Sequence, residues 1–229
     1  MNLYDSLLPP IHREGYPFLI AGVIASLIGF ALWDPLGWLA VILTLAIAYF
    51  FRDPPRVTPT RPGLIVAPAD GLVAVIDQAA PPEELEMGEE PRPRIVTFLH
   101  INDVHINRVP IAATVVRSVH RAGAFAIALP GKSDDNERQS LRLRLASGKE
   151  LAVVQIAGKV ARRIVTWVTD GDSVATGQRF GLIRFGSRVD LYLDPKMRPL
   201  VVVGQRMVGG ETVVADEKSR EAARVGEVR

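Results

Sequence analysis

The chain has 229 residues, with 27 Lys and Arg against 25 Asp and Glu, four His and no Cys. That length allows one domain with its own core plus an appendage, and the near-even charge with few aromatic residues argues against a dedicated nucleic-acid binder. The missing cysteines exclude disulfides, thiolate metal sites, iron–sulfur clusters and a cysteine nucleophile.

Taken in chain order, the first feature is apolar. Residues 17–33 carry no charge, residues 36–51 are again uncharged, and Asp34-Pro35 with Gly37 interrupts them. Proline cannot continue a helix and disfavours helical geometry in the residue before it, so the interruption predicts a turn between two helices. At ~1.5 Å rise per residue each run reaches about 25 Å, slightly short of a ~30 Å hydrocarbon core. A membrane-associated hairpin follows, either spanning or dipping in and returning; a hairpin buried in a core is the alternative. Arg13 precedes it and Arg52, Arg56 and Arg61 follow, which puts both ends on the cytoplasmic side. A cleavable signal fits poorly, because no small-x-small site separates the two runs.

Residues 52–62 are rich in proline and arginine and mark a boundary, giving units at 1–56 and 57–229. Beyond it, β-rich runs at 72–76, 94–99, 112–118, 140–145, 151–156, 164–168, 179–185, 189–193 and 200–203 alternate with turn residues. Those at 141–145 and 188–193 show the strict alternation of half-buried strands. A helical turn is expected around 156–165, and a solvated loop at 81–93, where five glutamates and four prolines also make a calcium site conceivable. The tail from 216 is charged and is expected to fray or form a solvated helix. The fold class is therefore predominantly β, with some α and an N-terminal helical membrane hairpin.

Three local features carry possible chemistry: Ala67-Pro68-Ala69-Asp70-Gly71 before a strand, Asp103-Val104-His105-Ile106-Asn107-Arg108 after one, and Phe185-Gly186-Ser187-Arg188 between two. Each alone reads as an ordinary turn or surface loop. Together, Asp70, His105 and Ser187 are the parts of an activated serine, in which a carboxylate orients an imidazole that takes the hydroxyl proton. The G-x-S-x-G elbow of hydrolases is absent, as are the phosphate-binding loop, the dinucleotide fingerprint and the H-E-x-x-H zinc motif. Gly186 permits the strained backbone needed for Ser187 to attack its own preceding carbonyl, which would cut the chain instead of a substrate.

These motifs, with Phe50-Phe51-Arg52-Asp53-Pro54, Arg121-Ala122-Gly123, Asn136-Glu137-Arg138, Gln155-Ile156-Ala157-Gly158 and Ala161-Arg162-Arg163, resemble in order and spacing the short, membrane-associated bacterial phosphatidylserine decarboxylases. The resemblance covers nearly the whole chain. It implies a proenzyme self-cleaved between Gly186 and Ser187, Ser187 becoming a pyruvoyl group. That ketone would condense with the amine of phosphatidylserine and take up the electrons left when carbon dioxide departs, so neither metal nor pyridoxal phosphate is required. It implies His105 as base and Asp70 as its orienting carboxylate. Partners would be phosphatidylserine, membrane lipids and the chain's own cleaved small fragment, with higher oligomers open. Longer relatives carry a second histidine where this chain has Arg108, so the division of duties between His105 and His100 stays open. Arg108, Arg162 and Arg163 are candidates for the lipid phosphate. Two other readings remain at this point: a lipoyl-like β adaptor without catalysis, for which 169–184 lacks the required lysine, and a decarboxylase for another amino-acid headgroup.

Overall fold

The computed structural model describes residues 9–123, 135–158, 163–184, 187–222 and 224–227, with the backbone alone of Ser187. The chain divides into two compact units, Met1–Pro55 and Arg56–Arg229.

In the first unit, α1 (Tyr16–Leu32) and α2 (Asp34–Phe50) form the expected hairpin, each with a proline in its first turn and joined by the extended Trp33. Small residues let the helices touch. A Cβ on Gly29 would stand 2.9 Å from Gly37 Cα, and one on Gly22 would stand 2.3 Å from the Thr44 hydroxyl. Ser26 and Thr44 donate back to the carbonyls of Gly22 and Ala40 at 2.8 and 2.7 Å, so neither hydroxyl asks for water. The open end is tied by His12 N to Phe51 O and Asp53 N to Pro10 O, at 2.8 and 2.7 Å. Ile20, Leu27, Leu32, Trp38, Ile42 and Leu45 are exposed. With its leading turn, the first helix (Arg13–Leu32) is long and apolar enough to cross a membrane, while α2 is shorter.

The second unit is built of β1 (Leu64–Val66), β2 (Gly71–Ala79), β3 (Arg92–Leu99), β4 (Ile106–Arg108), β5 (Ala113–Arg121), β6 (Arg138–Arg144), β7 (Glu150–Ala157), β8 (Ile164–Thr166), β9 (Ser173–Val174), β10 (Arg179–Ile183), β11 (Ser187–Tyr192), β12 (Arg206–Met207) and β13 (Val213–Asp216). Eight of them form one sheet in the order β12-β2-β3-β11-β7-β6-β5-β9; β4-β10-β8 and β1-β13 make two smaller sheets. All pairings are antiparallel. The alternation at 141–145 has the predicted result: Leu141 and Leu143 are buried, while Arg142 and Arg144 turn outward to Glu150. Central strand β7 is buried on both faces. Leu151 and Val153 join the main core with Ile95, Phe180, Val189 and Leu191, and Ala152, Val154 and Ile156 form a second cluster with Leu85, Met87 and Tyr192.

That second cluster corrects the expectation of a solvated loop at 81–93. A single 3-10 turn, Glu83–Leu85, inserts Leu85 beneath the loop, a burial worth about 1.5–3 kcal/mol. Glu84 is held by Arg138 at 2.6 and 2.8 Å and by the Ser140 hydroxyl at 2.9 Å. No cluster of three or more His, Asp or Glu able to hold a metal occurs among the described residues. Residues 200–203 are also not a strand. Leu200 and Val201 are buried, but the chain turns at Gly204, whose φ of +89° ends any ladder. The expected helical turn at 156–165 begins and ends in strand, in β7 and β8; residues 159–162 lie outside the described part. The described part of the tail beyond β13 holds no helix.

Candidate active site

Four strand ends coincide at one end of the large sheet. β3 finishes at Leu99, β7 finishes at Ala157, and β11 begins between them at Ser187, whose Cα partners are those two residues. β2 begins alongside, with Leu72 opposite Phe98. The entry to β2 requires glycine. Gly71 has φ +151°, and a Cβ there would stand 2.3 Å from the Phe98 carbonyl oxygen. The close approach sets the preceding Asp70 against this same end.

The turn after β3 returns the chain as β4. Asp103 closes it: its carboxylate accepts from His100 N at 2.7 Å and from Arg206, and its amide donates to His100 O at 2.8 Å. His105 then sits fully buried, with Nδ1 2.9 Å from the Asp103 carbonyl oxygen. A carbonyl only accepts, so Nδ1 is the donor of this contact, and in the neutral ring Nε2 is then the lone-pair nitrogen. The His105 carbonyl accepts from Ile183 N at 3.3 Å. That bond ties the histidine to the end of β10, from which the chain runs through Arg184 to Ser187. Phe185 and Gly186 lie outside the described residues, as does the Ser187 side chain.

Asp70 is placed differently from expectation. Its Oδ1 accepts from Gly209 N at 2.7 Å and its Oδ2 from Arg56 at 2.6 Å; neither oxygen is hydrogen-bonded to His105. The expected aspartate–imidazole pair is thus not formed, because a nearer backbone amide and guanidinium occupy the carboxylate, while a main-chain carbonyl takes over the orientation of the ring. Burial pushes the Asp70 carboxyl up from its ordinary value, and Arg56 and the Gly209 amide oppose that rise.

His100 is exposed, and its Nδ1 faces the Asn102 amide of its own turn at 3.3 Å, so it stands at the rim while His105 is inside. Arg108 is buried and donates to the Gly177 carbonyl at 3.0 Å, and its amide donates to Pro68 O at 2.8 Å. It anchors the loop that leads to Asp70. Arg162 lies outside the described residues, and Arg163 is exposed.

Sequence reasoning gave no role to Asp103, Arg56 or the Asn107–Gln155 pair. Gln155 Nε2 donates to Asn107 Oδ1 at 2.6 Å between fully buried side chains, joining β4 to β7. The second polar atom of each, Asn107 Nδ2 and Gln155 Oε1, is buried without a hydrogen-bond partner. An aspartate two residues before a histidine, just past an apolar strand, was the available signal for Asp103. Amide pairing between distant strands has no signal in one sequence.

The fold and the site define a class: an antiparallel β-sheet unit with a buried histidine whose carbonyl is bonded to β10, the strand that precedes β11. The family model for phosphatidylserine decarboxylase matches residues 43–215. The chain is 51% identical over its whole length to the phosphatidylserine decarboxylase proenzyme of Cereibacter sphaeroides, covering 99% of that protein. It is 53% identical to that of Paramagnetospirillum magneticum, covering 96% of it, and 49% identical, over 94% of the chain, to that of Ruegeria pomeroyi, covering 99% of it. The chain belongs to the phosphatidylserine decarboxylase family. That membership removes the lipoyl-like adaptor reading.

Proposed function

We propose that the chain is a proenzyme that cuts itself between Gly186 and Ser187 and then decarboxylates phosphatidylserine to phosphatidylethanolamine at the cytoplasmic face of a membrane. The observation that carries this reading is the bond from Ile183 N to the carbonyl of buried His105, shortly before Ser187 opens β11 between β3 and β7. The names of the relatives, proenzymes at about half identity over the full chain, support it.

In self-cleavage, His105 Nε2 takes the Ser187 hydroxyl proton as the oxygen attacks the Gly186 carbonyl carbon. The C–N bond breaks and an ester replaces the peptide. Loss of the Ser187 α-proton then expels the Gly186 carboxylate and leaves dehydroalanine at the head of the small chain. Addition of water and release of ammonia complete the pyruvoyl group. Asp70 acts without touching the ring. Through Arg56 and Gly209 it fixes the loop and supplies negative charge that favours an imidazolium nearby.

The residues present fit such a group, since residue 187 is held by β3 on one side and β7 on the other, and buried His105 is bonded to the strand that leads to it. The pyruvoyl ketone supplies an electron sink for a substrate amine. The chain's own part is to keep that position dry and fixed, and His105 Nε2 is placed to hold or deliver a proton during turnover. His100, at the rim, is not needed for either step.

The hairpin gives the enzyme access to a lipid. Its helices satisfy their own hydroxyls and expose large apolar side chains outward, which in water would be an unusually large apolar patch. Residues up to Pro55 form the membrane element, and the unit from Arg56 onward is the decarboxylase. Reading both steps together takes one assay: mass spectrometry of the purified protein alongside phosphatidylethanolamine formation in mixed micelles. Cleavage at 186/187 with turnover supports the proposal, and an intact chain with full activity rejects it.

A further inference from the structure

Strand β11 lies inside the large sheet, and under the reading above its first residue becomes the end of a new chain. Covalent continuity is then lost at the point where position matters most. Chain ends fray unless tied down. Face alternation forbids a slip of one residue, but a slip of two keeps every side chain on its own face. Some other feature must hold the register.

The outer face of β11 carries such a feature. Arg188 and Asp190 are 2% and 0% exposed. Arg188 grips the two Asp190 oxygens through Nε and Nη2 at 2.6 and 2.5 Å. Arg94, from β3, approaches Asp190 at 3.5 Å and the Tyr192 hydroxyl at 3.5 Å, and it holds Asp77, from β2, with two bonds of 2.9 and 2.6 Å. The ladder therefore crosses three strands. Above it lies a cavity of about 190 Å³ onto which Arg94, Arg138 and Arg188 open. Each of these guanidiniums is matched by a carboxylate, Asp77, Glu84 or Asp190, so the face has no surplus positive charge to draw an anion. Burial drives the Asp190 carboxyl upward and Arg188 opposes it. Such a pair adds little stability over an apolar one, but breaking it strands a buried charge.

We propose that the Arg188–Asp190–Arg94–Asp77 ladder is a positioning device that holds residue 187 in register after self-cleavage. The inference rests on the self-cleavage reading. A two-residue slide would take Asp190 and Tyr192 off Arg94, and fraying back to Asp190 would release the Arg188 fork that aims the Asp190 carboxylate at Arg94; the Arg188–Asp190 pair itself lies within β11 and travels with the strand. Before cleavage the tether at Gly186 does the same work, so the ladder matters for turnover and not for maturation.

The test uses the full-length chain with two changes: the double variant R188M/D190L, which removes both charges together, and R188K, which keeps the charge without the fork. Three readouts are compared: the maturation time course by mass, kcat and KM per pyruvoyl group, and hydrogen exchange of residues 188–193. The exchange is measured in cleaved protein and in uncleaved Ser187→Ala protein carrying the same changes. Maturation at the wild-type rate is expected. The kcat of the double variant should fall about 100-fold, the cost of roughly 1 Å of misplacement, with KM little changed and R188K in between. Exchange at 188–193 should rise in the cleaved form alone. Wild-type kcat in the double variant overturns the proposal, as does parallel loss of maturation and turnover. Should the double variant fail to fold, R188K decides: reduced kcat with normal maturation supports the ladder, and wild-type kcat rejects it. A wild-type chain that stays whole rejects the self-cleavage reading instead, a result distinct from either.

Discussion

At the residue scale, the His105 ring is held at Nδ1 by a main-chain carbonyl, and the Asp70 carboxylate by Arg56 and Gly209. The Asp103 main-chain carbonyl fixes the His105 tautomer, and a backbone oxygen is not removed by changing a side chain. His105→Ala is therefore the decisive single change, with self-cleavage expected to slow about 10³-fold, the usual contribution of a general base, while His100→Ala matures normally. Mass spectrometry of each variant over time checks both. Asp70 shows the opposite balance. Burial first, against Arg56 and Gly209, raises its carboxyl above the ordinary 3.8. A carboxyl whose folded pKa is raised favours folding most below its unfolded pKa, and that contribution is lost as pH rises through the folded value. Asp70→Asn should thus gain melting temperature relative to wild type as pH rises through this window, yet slow self-cleavage at least about tenfold by shifting the loop. Melting curves from acid to neutral pH read the first effect and maturation kinetics the second. If Asp70→Asn matured at the wild-type rate, the residue would have no part in the chemistry.

At the scale of elements, the long alternating strands were legible and the short polar ones were not. Leu141 to Leu145 announces its faces because one side is apolar, whereas 188–193, expected to be half-buried, is buried on both faces because Arg188 and Asp190 satisfy each other. β4, Ile106–Arg108, reads as a polar loop, since Asn107 and Arg108 are buried by pairing with Gln155 and the Gly177 carbonyl, and no local pattern reveals partners so distant. The same blindness made the 81–93 loop look solvated, though Leu85 and Glu84 are anchored on the sheet. Glu84 gives a signed test. Burial raises its carboxyl, but bonds from Arg138, its own backbone and Ser140 outweigh that and hold it below the ordinary 4.5. A lowered carboxyl stabilises above its unfolded pKa, and the contribution is lost as pH falls through the folded value. Glu84→Gln should cost about 1–3 kcal/mol at neutral pH, and its melting curve should converge on that of wild type below about pH 4.5. A gap that persists in acid would mean the loop is held by packing alone.

For the whole molecule, the proposed function divides the labour of the two units between access and chemistry. Legibility was greatest here, because uncharged runs interrupted by Asp34-Pro35 state a hairpin outright, and the order of the motifs states the family. What no motif stated was that Arg56 and Gly209 would take the Asp70 carboxylate and a main-chain carbonyl the His105 ring. Leu27 and Leu45 are exposed on the hairpin, so L27D/L45D should weaken sedimentation with anionic vesicles while self-cleavage, a property of the second unit, proceeds. Loss of both together would mean that maturation depends on the bilayer. The most direct measurement is the intact mass of the purified wild-type protein. Two chains are expected, one ending at Gly186 and one running from a pyruvoyl group at position 187 to Arg229, the latter with no free amino terminus. A single active chain, or a small chain that begins with an ordinary serine, would contradict the self-made cofactor on which the whole account depends.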